Sequence, residues 1–196
     1  MYSEGMNARF AALLLASGLP LMAQVRLSAG VKAGAPLTAI TEGSSGSALI
    51  INRAFWWTLG PAVELDLPLG LGLEFDALFR RVGYEGPAGR AELAGQRREF
   101  TGSVWDFPLL AKYRFTRNGV QPYVGGGWTY RRLGDLLRFS SGSSSNGGVI
   151  SAGIRVKTRS IKISPELRYT HWPNQDIQPG FRTRKSQFDA LIGITF

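Results

Sequence analysis

Apolar and polar residues alternate along much of this chain, and the segment DFPLLAKYRF (106–115) shows the pattern clearly. Its odd positions are all apolar, whereas the charged residues Asp106, Lys112 and Arg114 all fall on even positions. A period of two is that of a β-strand, whose successive side chains point to opposite faces. The segment therefore predicts a strand with one apolar face and one charged face.

Eight segments show this alternation, and the connections between them alternate in length. The segments span about 25–35, 55–67, 71–81, 102–115, 122–131, 148–157, 161–172 and 186–196. Short connections follow the second, fourth and sixth segments, at 68–70, 116–119 and 158–160. Long polar connections follow the first, third, fifth and seventh segments, at 37–53, 85–101, 133–147 and 173–185. All short turns thus share one end with both termini, which predicts an all-β, eight-stranded antiparallel up-and-down barrel.

Alternation alone does not say which face of the barrel points inward, because a soluble carrier barrel would bury the apolar face. An eight-stranded barrel has an interior just wide enough to be filled by side chains, so acids and bases of the polar face can pair there. Large aromatic residues lie toward the strand ends of the apolar face, as in the interfacial girdles of membrane barrels. They are Phe55, Trp57, Trp105, Phe107, Tyr113, Phe115, Tyr169 and Phe196.

The N-terminal residues favour export. Arg9 precedes a run of small and apolar residues, FAALLLASGLPLMA, which ends at Ala23. One positive charge, a short apolar core and a small residue at the cut site are the features of a cleavable signal peptide. We expect residues 1–23 to be that signal peptide, with Met1 or Met6 as the start, and residues 24–196 to be the barrel. Together with the loop lengths and the aromatic girdles, export favours a transmembrane barrel with its apolar face outward.

The composition narrows the alternatives. The 196 residues include 25 Gly, 11% aromatic and 19% charged residues, which suits a β-rich chain with many turns and is too apolar for a disordered one. No apolar run approaches the ~20 residues that a membrane-spanning helix needs. The chain has no Cys and a single His, His171, so disulfides and Cys/His zinc sites are excluded.

These features together resemble the small eight-stranded outer-membrane β-barrel proteins of Gram-negative bacteria. The resemblance rests on five segments and covers nearly all of the chain from residue 25 to Phe196. The segments are LGLEFDALFRRVGY (71–84), DFPLLAKYRF (106–115), QPYVGGGWTYR (121–131), SPELRY (164–169) and ALIGITF (190–196). The resemblance implies an outer-membrane location, periplasmic termini and short turns, and extracellular long loops.

The last strand resembles the assembly signal of this family, which the outer-membrane insertion machinery reads. The residues that would carry the signal are Phe188, Ile192, Ile194 and Phe196.

Charged residues of the polar faces predict an ion-pair network in the lumen. Four carboxylates lie on two strands joined by a tight turn, and Lys112 and Arg114 on the next strand are placed to neutralise them. Buried charges need partners, so we favour ion pairs over a Ca²⁺ site or acid/base chemistry. The expected network comprises Glu64, Asp66, Glu74, Asp76, Asp106, Lys112, Arg114, Arg155, Lys162, Glu166, Arg168 and Asp189.

The chain is basic, with a formal net charge of +9, and its arginines concentrate near the long connections, Arg80 and Arg131 among them. Nucleic-acid binding is the usual interpretation of such a balance. For an outer-membrane barrel, lipopolysaccharide phosphates are the better partners, because guanidinium groups bind phosphate in a bidentate manner. The candidate contacts are Arg81, Arg132, Arg138, Arg182 and Arg184.

No catalytic site is expected. Lipid A deacylases, which are also eight-stranded barrels, carry a catalytic His followed two residues later by a nucleophilic Ser. Here His171 is followed at that spacing by Pro173, which has no nucleophilic group. The sequence therefore predicts a monomeric structural or surface-interaction protein without cofactor, metal or nucleic-acid partner. A lipid-modifying enzyme, a narrow pore and a soluble carrier remain the alternatives.

Overall fold

The computed structural model describes residues 25–38, 41–43, 50–87, 97–116, 119–134, 144–173, 176–178 and 181–196. The expected signal peptide, residues 1–23, lies outside the described residues. The strands are β1 Arg26–Pro36, β2 Thr41–Gly43, β3 Ile50–Asp66, β4 Leu71–Asp76, β5 Leu78–Pro87, β6 Arg97–Arg114, β7 Val120–Gly134, β8 Ser144–Lys157, β9 Lys162–His171, β10 Asp176–Gln178, β11 Phe181–Thr183 and β12 Ser186–Thr195.

Antiparallel pairing between chain neighbours closes the main sheet into a barrel. β1 pairs with β12 on one side and with β3 on the other, so the sheet has no free edge. β4 and β5 form one barrel strand, since both pair with β3 and with β6. The break between them is Ala77, which lies opposite Pro61 and donates its N–H to the Pro61 carbonyl, while Pro61 has no N–H to return. The predicted eight-stranded antiparallel barrel is confirmed.

The strands are staggered around the barrel. If the paired residues are followed from strand to strand around the barrel, the path that begins at Arg26 on β1 returns to β1 at Pro36, ten residues further along the chain. The intermediate residues are Asp66, Gly72, Lys112, Gly125, Ser151, Arg168 and Asp189. Such a stagger requires tilted strands, and with eight of them the interior is narrow enough for side chains to fill.

Regular structure extends further into the long connections than the alternation indicates. β3 begins at Ile50 rather than near 55, β6 begins at Arg97 rather than near 102, and β8 begins at Ser144. The connections expected at 37–53 and 173–185 also contain β2, β10 and β11, which form a separate three-stranded sheet. Sequence alternation could not reveal these parts, because backbone pairing between strands does not itself require one apolar and one polar face.

One short turn contains a strained residue. Pro68–Gly70 forms a 3₁₀ turn between β3 and β4, in which Leu69 has φ 62° and Gly70 has φ 83°. The left-handed region suits Gly, whereas it costs an L-residue with a side chain roughly 1–2 kcal/mol. We call this end of the barrel, with the connections 67–70, 115–119 and 158–161, the turn end, and the opposite end the loop end.

Apolar side chains cover the outside of the barrel and charged side chains fill its inside. Leu109, Ile150 and Leu167 are 50%, 59% and 61% exposed, whereas Lys112 and Arg168 are only 2% and 3% exposed. This is the reverse of a water-soluble barrel, and it confirms the outward apolar face predicted from the sequence. No helix among the described residues is long and apolar enough to cross a membrane.

Candidate functional site: ion pairs in the barrel lumen

Polar residues of every barrel strand meet on the axis, where they form three stacked layers of ion pairs. The alternation places them there, because each strand directs every second side chain inward and the narrow interior brings opposite walls within reach. We name the layers by their position: the loop-end layer, the central layer and the turn-end layer.

The loop-end layer joins two arginines to two aspartates. Arg131 Nε donates to Asp106 Oδ1 at 2.6 Å, and Arg80 Nη2 donates to Asp106 Oδ2 at 2.7 Å. Arg80 also contacts the other aspartate, with Nη1 3.0 Å from Asp189 Oδ1. The Arg131 guanidinium lies over the ring of Trp172, 4.0 Å from its centroid. A stacked ring and two carboxylates thus balance the charge of cations that the barrel wall shields from water, although Arg80 Nε and Arg131 Nη1 have no hydrogen-bond partner among the described residues.

The central layer contains three cations and three carboxylates. They are Lys32, Lys112 and Arg168 with Glu74, Asp76 and Glu166. Lys112 Nζ lies 2.7 Å from both Glu74 Oε2 and Glu166 Oε2. Arg168 contacts all three carboxylates. Because each member has several partners from different strands, this layer links opposite walls of the barrel.

Tyr123 adds a neutral donor to the central layer. Its hydroxyl donates to Glu166 Oε2 at 2.8 Å, and its ring lies beneath Lys112 Nζ at 4.3 Å from the centroid. An aromatic face next to an ammonium is attractive, more so when water is excluded.

The turn-end layer contains three cations but only two carboxylates. Arg114 Nη1 lies 2.6 Å from Asp66 Oδ1 and 3.1 Å from Glu64 Oε1. Arg155 pairs with the same two carboxylates, and Lys162 Nζ lies 2.8 Å from Asp66 Oδ2. The loop-end and central layers are balanced in charge, with two cations against two carboxylates and three against three. Three cations against two carboxylates leave this layer with one excess positive charge.

Lumen-facing glycines make room for the long charged and aromatic side chains. A Cβ built on Gly72 would lie 2.9 Å from Arg114 Nη1, and one on Gly125 would lie 3.1 Å from Lys112 Cγ. A Cβ on Gly153 would lie 2.6 Å from the Tyr123 hydroxyl. Small residues on one wall thus pair with large ones on the next, which keeps a narrow interior filled without strain.

All twelve residues of the expected network lie in these layers. Sequence reasoning left out Lys32, Arg80, Arg131 and Tyr123. Lys32 and Arg80 carried a usable signal, since both lie on the polar parity of their strands. Arg80 and Arg131 were assigned to the basic region near the loops, whereas the structure buries both in the lumen at 3% and 1% exposure. The face of the strand on which each arginine lies is thus a better guide to its position than its closeness to a loop.

Most of the other candidate residues that the structure describes face outward. Arg81 and Arg132 are exposed on the outer wall at the loop end, and Arg184 is half-buried. Arg138 and the side chain of Arg182 lie outside the described residues. The assembly-signal candidates Phe188, Ile192, Ile194 and Phe196 all face outward on or directly after β12, at 37–67% exposure.

The His171 side chain has no hydrogen-bond or ion-pair partner among the described residues. It is exposed, the adjacent Trp172 points into the lumen at 1% exposure, and Pro173 follows. The parts of the chain that the structure describes contain no group of three or more His, Asp or Glu side chains suited to hold a metal ion.

A closed barrel with an apolar outer wall and a charged lumen defines a transmembrane β-barrel protein. The family model for the outer membrane protein beta-barrel domain matches residues 11–189. The chain belongs to this family, whose members reside in the bacterial outer membrane. A search of curated protein sequences finds no match.

Solved structures of other outer-membrane barrels are similar to this chain, and the first of the three below supports the fold. Neisserial surface protein A is 16% identical, with a TM-score of 0.54 over 87% of this chain and 97% of that one. The N-terminal barrel domain of Pseudomonas aeruginosa OprF is 16% identical, with a TM-score of 0.49 over 88% and 98%. Ail of Yersinia pestis, solved in complex with the heparin analogue sucrose octasulfate, is 13% identical, with a TM-score of 0.45 over 88% and 97%.

Proposed function

We propose that this protein is a non-enzymatic structural and surface-interaction barrel whose lumen is plugged by ion pairs. In this proposal residues 1–23 are removed as a signal peptide, the turn end faces the periplasm and the loop end faces the exterior. The exposed residues of β12 are read by the outer-membrane insertion machinery, and loop-end arginines contact lipopolysaccharide phosphates.

The central layer carries the proposal of a plugged lumen. Its six charged side chains reach across the barrel from several strands, and each is less than a tenth exposed. An ion that crossed the lumen would have to separate pairs that are held at 2.7 Å. We expect no steady single-channel conductance from the reconstituted protein in planar bilayers. A stable, voltage-independent conductance would contradict the plug and favour a narrow pore.

The lipopolysaccharide proposal rests on two arginines beside an aromatic cluster. Arg81 pairs in register with Ser103, and Arg132 pairs with Trp105, so both flank β6 on the outer wall. Trp105 lies 5.1 Å from the Phe79 ring, measured between centroids, and 6.1 Å from the Phe107 ring. Aromatic belts lie at the headgroup level, and arginine on the outer wall costs little only near that interface. This position on the outer wall supports the proposed contact of both guanidinium groups with lipid phosphates.

Charge reversal at these positions tests the contact. Arg81→Glu with Arg132→Glu, measured as folded protein in micelles titrated with purified lipopolysaccharide, is expected to weaken association about tenfold or more. Arg159→Glu is the matched control, because Arg159 is an exposed arginine at the turn end. Trp105 pairs in register with Arg132, so it should contribute to a change in tryptophan fluorescence on binding at this surface. Unaltered association of the double variant would refute the proposed contact.

The absence of catalysis is part of the same proposal. Its support is Pro173, which occupies the position where a lipid A deacylase has its nucleophile. Lipid A extracted from cells with and without the protein should show identical acylation by mass spectrometry. A change in acyl-chain number that depends on His171 would favour the enzyme instead.

A further inference from the structure

A basic cavity opens at the turn end, directly outside the turn-end layer. Its volume is about 370 Å³, which is large enough for a small hydrated anion and far more than one water molecule needs. Five cationic side chains line it, accompanied by one carboxylate, Asp66. The cations are Arg26, Arg114, Arg155, Lys157 and Lys162.

The charges around this cavity do not cancel. Asp66 and Glu64 neutralise two of the three cations of the turn-end layer. Arg26 and Lys157 add two more positive charges at the rim, and neither has an ion-pair partner among the described residues. Five cations against two carboxylates leave three excess positive side-chain charges. The other two layers are balanced, so the excess of the described lumen is confined to this cavity.

Hydrogen-bond donors without a partner in the described part of the chain are available at the cavity, as they also are at Arg80, Arg131 and Arg168 of the other two layers. Arg155 is 2% exposed, and its Nε is buried without a hydrogen-bond partner among the described residues. Gln121 also lines the cavity and is 8% exposed, and its side chain has no hydrogen bond to another described residue. A buried donor without a partner costs free energy that a bound oxygen would recover.

We propose that this cavity is a binding site for a phosphate-type oxyanion that enters from the turn end. Three guanidinium groups and two ammonium groups around one cavity match the several oxygens of a phosphate, which arginine binds through paired N–H donors. A free phosphate and the phosphate of a lipid headgroup share this chemistry. The site lies at the opposite end of the barrel from Arg81 and Arg132, so it does not depend on the lipopolysaccharide contact.

A calorimetric titration tests the site. Inorganic phosphate is added, at constant ionic strength, to the folded full chain in nonionic micelles. We expect saturable binding, weakened about 25-fold in Arg26→Gln with Lys157→Gln, because each removed charge at contact distance in water costs about fivefold. Both side chains lie at the exposed rim without ion-pair partners in the described chain, so the variant should keep its heat-modifiable gel mobility. Arg159→Gln is the control, an exposed arginine two residues from Lys157 that does not line the cavity.

A second arm distinguishes the two sources of phosphate. Phosphate titration is repeated in micelles that contain short-chain phosphatidylglycerol. Displacement of phosphate by the lipid in the wild type, but not in the double variant, identifies a headgroup site, and undiminished phosphate binding identifies a free-anion site. The proposal is overturned if neither probe binds saturably, or if the double variant binds phosphate as tightly as the wild type and Arg159→Gln.

Discussion

Lys112 is the residue whose removal tests the lumen network most directly. Its ammonium group is 2% exposed and lies 2.7 Å from one oxygen each of Glu74 and Glu166. At an effective dielectric constant of about 20, each such contact attracts by roughly 6 kcal/mol before the cost of desolvation. Lys112→Met keeps most of the side-chain volume and removes the charge, which leaves two cations against three carboxylates in the central layer. We expect the free energy of unfolding to fall by about 3–5 kcal/mol, the usual cost of leaving a buried charge without its partner.

A second substitution, Glu166→Gln, restores the charge balance of the central layer. In Lys112→Met with Glu166→Gln, the central layer keeps Lys32 and Arg168 against Glu74 and Asp76, two against two. We therefore expect the double variant to be less destabilised than the sum of the two single variants, by at least about 1 kcal/mol.

Urea-induced unfolding in phospholipid vesicles, followed by gel mobility and tryptophan fluorescence, measures these differences. Arg159→Met is the control, since Arg159 is exposed at the turn end and does not line the basic cavity, and its effect should stay within about 0.5 kcal/mol. The reasoning is refuted if Lys112→Met unfolds like Arg159→Met, or if the two charge removals in the central layer simply add.

Two further predictions concern the outer wall and the packing of the lumen. Leu109→Arg, at a half-exposed outward position, should lower the free energy of unfolding in vesicles by about 2–4 kcal/mol. Val120→Arg, at the start of β7, is the control and should lower it by at most about 1 kcal/mol. If Leu109→Arg had no effect, water rather than lipid would cover this wall. Gly153→Ala should cost about 1–3 kcal/mol in the same assay, because its Cβ would lie 2.5 Å from the Pro165 carbonyl oxygen and 2.6 Å from the Tyr123 hydroxyl. Gly148→Ala, with nothing within 4 Å, should be neutral, and equal effects of the two alanines would contradict the packing described here.

The three layers differ in charge balance and in exposure to solvent. The balanced loop-end and central layers are enclosed by the wall and have their charges matched within the protein. The turn-end layer borders the cavity, and Asp66 there keeps 18% of its side-chain surface exposed. In the proposed function the two balanced layers close the lumen and the turn-end layer can accept an external anion, because buried charge must be balanced internally whereas charge next to solvent need not be.

The sequence by itself determined the eight strands of the barrel, their order and the face on which most of their residues lie. A period of two needs no knowledge of neighbours, so the inward parity of Glu74 and Lys112 and the outward parity of Leu109 follow from the local pattern. The alternation of connection lengths then settled the up-and-down topology.

Only the tertiary structure decided which inward charges meet. Ion pairs such as Lys32 with Glu74 join residues 42 positions apart, and the ten-residue stagger of the closed barrel sets which levels face each other. An alternation with a period of two does not determine the register, because shifting a strand by two residues keeps every side chain on its face and changes all of its partners. For the same reason Arg80 and Arg131 could be placed on a strand from the sequence, but not in a shared layer with Asp106, and the charge excess at the turn end appeared only when the layers were assembled.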